Sequence, residues 1–126
     1  MEFTNQEPIY LQIAELICDK IMLKVLKEDS RIPSVREMAV QLEVNPNTVM
    51  RTYEYLQGKD IITNKRGIGY FVSTDGIEKA INLRKTAFLE VALPSIFKTA
   101  QLLGISVEEL QNRYNAFIKN PSDLQK

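Results

Sequence analysis

Residues Ser34–Arg51, reading SVREMAVQLEVNPNTVMR, decide the fold. Ser34 followed three positions later by Glu37 has the form of a capping box, and Val35, Met38, Ala39 and Leu42 then recur at helical spacing. The turn Glu43-Val44-Asn45 leads to a second helix start, with Asn45 as N-cap and Pro46 at the first helical position. Two short helices joined this tightly cross steeply, which is helix-turn-helix geometry. On the second helix Val49, Tyr53 and Leu56 share one face and are expected in the core. Asn47, Thr48 and Arg51 fall on the other face, where they can meet base edges in a major groove. Periodicity alone fits a protein-interaction module equally well.

Composition narrows the function classes. At 126 residues the chain has room for one compact domain, or for a small domain with an appendage. Net charge is zero, and the first 75 residues carry nine Lys or Arg against eleven acidic residues, so any positive surface must be a local patch. A single subunit is therefore expected to bind DNA non-specifically only weakly, with a modest salt dependence. There is no histidine, which removes the usual general base and the commonest zinc ligand. No glycine loop of the phosphate-cradling kind occurs either, so neither catalytic residues, nor a metal, nor a cofactor is expected. The single cysteine, Cys18, lies within an apolar helical pattern and reads as a buried, inert thiol in a reducing compartment. The N-terminus is polar and no apolar run approaches the length of a membrane span, which points to the cytoplasm.

Outward from the central stretch, a first helix starts at Pro8, read as its first helical position. Ile9, Ile13, Leu16, Ile17 and Ile21 form its apolar face. Lys24 to Arg31 lose periodicity and read as a loop, with room for a short strand at Arg31-Ile32. After Gly58 the pattern turns to strand: Ile61-Ile62-Thr63 and Tyr70-Phe71-Val72 flank Asn64-Lys65-Arg66-Gly67-Ile68-Gly69. Lys and Arg beside glycines at a hairpin tip suit a narrow minor groove or a phosphate, although an ordinary solvated tip has the same composition. Directly behind a helix-turn-helix, the hairpin reads as a wing.

The whole run PSVREMAVQLEVNPNTVMRTYEYLQGKDIITNKRGIGYFV resembles the DNA-binding domain of GntR-family bacterial transcription regulators. That family's pattern runs LPS-x-RE-LA, L-x-(V/I)-N, T-(V/A)-xx-(A)-Y-xx-L-xxx-G-(L/I) and RG-x-G-(T/Y)-FV, and with PIYLQI the likeness spans roughly Pro8 to Ser73. The resemblance implies a mainly α fold with a small β-hairpin wing, a winged helix-turn-helix over 1–74. It also implies a DNA-binding set: Ser34, Arg36, Asn47, Thr48, Arg51, Lys65, Arg66, Gly67 and Gly69, with the N-cap Asn45 beside them. Arg36 and Arg51 are the guanine-reading candidates, since a guanidinium can bind O6 and N7 together. Ser34, Thr48 and the wing amides suit phosphate, and Asn47 suits either adenine or phosphate. The chain departs from the pattern in three places. Glu28-Asp29-Ser30-Arg31-Ile32-Pro33-Ser34 lacks the Pro and Gly of the usual PGDRLPS, Pro46 stands where some members carry arginine, and Met50 replaces a frequent basic residue.

Beyond Ser73 helical periodicity returns, with Ile77, Ile81, Phe88, Val91, Ile96, Ala100 and Leu103 on one stripe, widened by Leu89, Leu93 and Phe97. Pro94 is expected to bend this helix, Gly104 to cap it, and Ser106 with Glu109 to open a last helix through a second capping box. That helix aligns Val107, Leu110, Tyr114, Phe117 and Ile118, and the tail from Asn120 is expected to fray. So broad an apolar surface calls for a homodimer built on 75–126, with Ile81, Phe88, Val91, Ile96, Leu103, Leu110 and Tyr114 at its seam. The alternative is that these helices fold back on their own winged domain. An appendage of about fifty residues resembles the short YtrA-like branch of the family, whose two C-terminal helices dimerise without a sizeable ligand pocket. The expected protein is a cytoplasmic bacterial repressor, a homodimer on a palindromic double-stranded DNA operator, with no membrane partner. Nothing polar converges at the bend to recruit a small-molecule effector. Its rivals are a winged-helix interaction module and a small-molecule-responsive form of the same regulator.

Overall fold

A computed structural model describes residue 3 and residues 7–120. The chain divides into two compact units, Met1–Thr86 and Ala87–Lys126. In the first, α1 (Ile9–Met22), α2 (Val35–Leu42) and α3 (Pro46–Gly58) are followed by the strands β1 (Ile62–Lys65) and β2 (Gly69–Val72) and by α4 (Gly76–Ala87). The second contains a π-helical turn (Phe88–Ala92), α5 (Leu93–Leu102) and α6 (Val107–Ile118).

Each helix start has a local cause. Pro8 is extended (φ −55°, ψ 143°) and serves as N-cap of α1, one residue outside the position expected for it. The Ser34–Glu37 capping box forms completely: Glu37 N–H donates to Ser34 Oγ at 3.1 Å, and Ser34 N–H to Glu37 Oε1 at 2.9 Å. Asn45 Oδ1 accepts from Asn47 N–H at 2.8 Å, with Pro46 just inside α3. The ends of α1, α2 and α3 are closed by Lys24, Glu43 and Asp60 at φ near +60°, without any glycine. After each, an N–H returns to a carbonyl five residues back, from Val25 to Lys20, Val44 to Ala39 and Ile61 to Leu56. Gly58 is thus the last residue of α3, and Asp60 takes the left-handed turn beyond it.

The strands pair antiparallel, from Ile62 opposite Val72 to Lys65 opposite Gly69. On the other side of β2, Arg31 bridges Phe71, and Ile32 N–H donates to Tyr70 O, so the anticipated strand at Arg31-Ile32 exists as a single bridge. Ile13, Ile17, Ile21, Ile32, Met38, Val49, Tyr53, Leu56, Ile61, Ile62 and Val72 bury together. That cluster is the seam where three helices and the hairpin meet.

Helix α4 packs on the same core through Ala80, with Ile77 and Leu83 alongside. A Cβ on buried Gly76 would sit 2.7 Å from Val72 Cγ1, so only glycine lets α4 approach β2 this closely. Ile77 N–H donates to Glu28 Oε2, and Arg84 reaches Glu15 (3.0 Å) and Asp19 (3.1 Å) on α1. The packing boundary therefore falls at 86/87, at the last residue of α4, and not at 74/75.

In the second unit Pro94 leaves its mark as a π-turn: Leu93 N–H bonds to Phe88 O, five residues back, just ahead of the proline. Gly104 (φ +71°) closes α5, with Ile105 N–H returning to Ala100 O. At Ser106 only half of the expected box forms. Ser106 Oγ accepts from Glu109 N–H, but the Glu109 carboxylate is taken by Arg113 at 3.2 Å. Among the described residues of this unit only Ala100 is buried. Phe88, Val91, Ile96, Leu103 and Tyr114 are exposed, as is Ile81 on α4, while Leu110 is half-buried. The tail beyond Asn120 lies outside the described residues.

Candidate nucleic-acid interface

Tyr53 organises the site. Fully buried on α3, its hydroxyl donates to Pro33 O at 2.6 Å, and its ring meets Tyr70 of β2 edge-on at 4.9 Å. Pro33 immediately precedes the Ser34 cap of α2, so one side chain fixes the start of α2, α3 and the wing against each other. Burial pushes the Tyr53 phenol well above its ordinary range, so it remains a hydrogen-bond donor. Tyr70 reaches Met50, its hydroxyl 4.0 Å from the sulfur, which places Met50 on the wing side of α3.

The predicted contact residues emerge at the edges of this block. Arg36 is exposed in the first turn of α2, beside half-buried Ser34. Ser34 Oγ accepts a bond from the Glu37 N–H of its own helix, and its hydroxyl also lies within reach of the Glu37 carboxylate. The Glu37 carboxyl lies below its ordinary value because it accepts the Ser34 backbone N–H, then because of the Ser34 side chain. Asn45 and Asn47 are exposed and Thr48 half-buried at the start of α3, with the Asn45 oxygen committed to the cap. Wing residues Lys65, Arg66, Gly67 and Ile68 are exposed; Gly67 at φ +79° makes the turn. Lys65 leans back, its Nζ 4.2 Å from the Phe71 ring centre. Gly69 (φ +142°) leaves space for Arg31, whose Nε would lie 3.0 Å from a Cβ there. Arg31 thus joins the wing, through its bridge to Phe71 and its side chain beside Gly69.

Arg51 is exposed on α3, but its guanidinium lies 4.0 Å over the ring of Tyr10 on α1. Sequence spacing places Arg51 on the exposed face of α3, as found, but gives no sign of Tyr10, because the contact is made across α1 and α3.

Cys18 is completely buried, and burial raises its thiol from the ordinary 9.0 to about 11. A group whose pKa is raised by folding lends stability below its unfolded pKa and loses it as pH rises toward the folded value. Stability should accordingly fall between about pH 9 and pH 11 through this group. Iodoacetamide at pH 8 should label Cys18 only after denaturant is added; fast labelling of the native protein would contradict its place in the core.

This geometry defines a winged helix-turn-helix DNA-binding domain. The family model for bacterial regulatory proteins of the gntR family matches residues 9–72, and the chain belongs to that family. It is 36% identical over 118 residues to the uncharacterised transcriptional regulator YhcF of Bacillus subtilis, covering 92% of this chain and 94% of the relative. It is 31% identical over 106 residues to the transcriptional repressor YtrA of the same organism, covering 84% and 81%. A putative GntR-family regulator from Bacteroides thetaiotaomicron has a similar crystal structure, with TM-score 0.73 and 50% identity over 89% of this chain and 97% of that one. The protein is thus a DNA-binding transcription regulator of this family and not an enzyme. No helix among the described residues is long and apolar enough to cross a membrane.

Proposed function

We propose that the chain is a cytoplasmic bacterial repressor that occupies a palindromic operator as a homodimer and obstructs transcription. The observation that carries this is the single block formed by the start of α2, α3 and the wing around Tyr53, with Arg36, Arg51 and Arg66 exposed along it. The likeness to YtrA, itself a repressor, supports the sign of regulation. The exposed apolar side chains of 75–126 support self-association, because water disfavours so much apolar surface on a lone chain. A twofold dimer presents two recognition helices, and a palindromic operator mirrors that symmetry.

Within this reading Arg36 and Arg51 read bases, while Ser34, Thr48, Lys65, Arg66 and the amides of Gly67 and Gly69 hold phosphate. Asn45 positions Asn47. Arg51→Ala should weaken operator binding by about 1–3 kcal/mol and relax the preference at one base pair. Lys65→Ala should weaken all duplexes alike and lower the salt dependence by about one ion. Titrations of both variants against a panel of single-base operator mutants check this. Uniform, sequence-independent losses from both would overturn the assignment of roles.

A further inference from the structure

We infer that Tyr10 is a positioning residue for DNA recognition: from α1 it holds the Arg51 guanidinium in the orientation in which α3 presents it to the operator. This rests on the reading of Arg51 as a base contact, and adds a second residue from an element outside the helix-turn-helix.

Three independent contacts fix Tyr10 relative to α3. Its ring stacks with the Arg51 guanidinium at 4.0 Å. The same ring meets Tyr55 edge-on, at 6.2 Å between centres and 79° between planes. Its backbone carbonyl accepts the hydroxyl of Thr52, a fully buried side chain, at 2.8 Å. Arg51, Thr52 and Tyr55 all belong to α3, so α1 grips the recognition helix at residues one and four apart. Thr52 Oγ1 also lies 3.1 Å from Thr48 O, within its own helix, so a hydroxyl has been buried where its proton can reach the carbonyl of Tyr10.

The consequence for Arg51 follows from its chemistry. A free arginine on a helix surface samples many rotamers and loses that freedom when it binds, whereas stacking on an aromatic face restricts it beforehand. With its central carbon 4.0 Å over the ring centre the guanidinium rests against the aromatic face, and the N–H groups turned away from that face are the ones that can donate to guanine O6 and N7 or to phosphate. A preorganised arginine gains both affinity and angular selectivity, because a donor pair fixed in direction rejects an acceptor pattern that is displaced.

The test uses the full-length protein and duplexes that the wild-type protein enriches from a random-sequence library. Arg51→Ala should weaken binding about ten- to a hundred-fold and flatten preference at one position. Tyr10→Leu should weaken binding and flatten the same position, while Tyr10→Phe, which keeps the ring, should retain wild-type affinity and preference. In the Arg51→Ala background Tyr10→Leu should add little, since both act through one contact. In the free protein the Arg51 side-chain N–H resonance should be shifted upfield by the ring and should move back in Tyr10→Leu, a signature independent of DNA. Losses that simply multiply, a Tyr10→Leu protein with unchanged sequence preference, or an Arg51 resonance that ignores the substitution would each overturn the inference. A library from which the wild-type protein enriches nothing would instead overturn the DNA-contact reading itself, even with the ring-shifted resonance present.

Discussion

Tyr53→Ala is expected to destabilise the winged domain by about 3–5 kcal/mol, a large part of the roughly 5–15 kcal/mol available to a domain of this kind. The ring is completely buried and touches Tyr70, so truncation leaves a cavity that α1, α3 and β2 cannot close without moving. It also removes the donor to Pro33 O. Tyr53→Phe separates the two contributions: the ring stays, and only the hydrogen bond is lost, at about 1 kcal/mol. Urea unfolding read by far-UV circular dichroism measures both. A Tyr53→Ala protein within 1 kcal/mol of wild type would contradict Tyr53 as the joint between α2, α3 and the wing. Tyr53→Phe, still folded, should bind operator less well than its stability loss alone explains, because Pro33 and the Ser34 cap are released.

Placing charge on the apolar face of the second unit should have the largest effect on DNA binding. Phe88→Glu with Ile96→Glu puts two carboxylates among side chains that are half exposed in the single chain, at 50% and 47%. Both positions lie on helical surface, so the winged domain should keep its unfolding midpoint. The expected result is a monomer of 14.5 kDa by sedimentation. With two half-sites no longer bound by one linked pair, affinity for the full palindrome should fall about 10²- to 10⁴-fold, with half-site affinity unchanged. A double variant that still sediments as a dimer would place the seam elsewhere. The wild-type chain sedimenting as a monomer at micromolar concentration would remove the dimer altogether.

Much of the first unit is legible in sequence because its signals are local. The Ser34–Glu37 box, the Asn45-Pro46 start and the inward triad Val49, Tyr53 and Leu56 all depend on residues within one or two turns, and all are found. The same locality explains what the sequence does not show. Pro8 fits a first helical position and an N-cap almost equally, and its ψ of 143° decides for the cap. Glu109 fits a capping box, but Arg113 one turn later competes for its carboxylate. Left-handed turns at Lys24 and Asp60 escape a search for glycine, because the returning hydrogen bonds and the core beyond outweigh the local preference. Pro94 announces a disturbed helix, but not that the strain is absorbed upstream as a π-turn. The contacts of Arg51 with Tyr10 and of Arg31 with the wing join segments distant in sequence, and no periodicity encodes them.

The most direct test of the regulator as a whole is a nuclease footprint of the purified protein on the DNA upstream of its own gene, at low and at moderate salt. The account predicts a protected palindrome, its two half-sites about one helical turn apart, that persists at moderate salt. Diffuse protection that disappears as salt is raised would leave only non-specific attraction to phosphate, and would contradict the sequence-specific dimer.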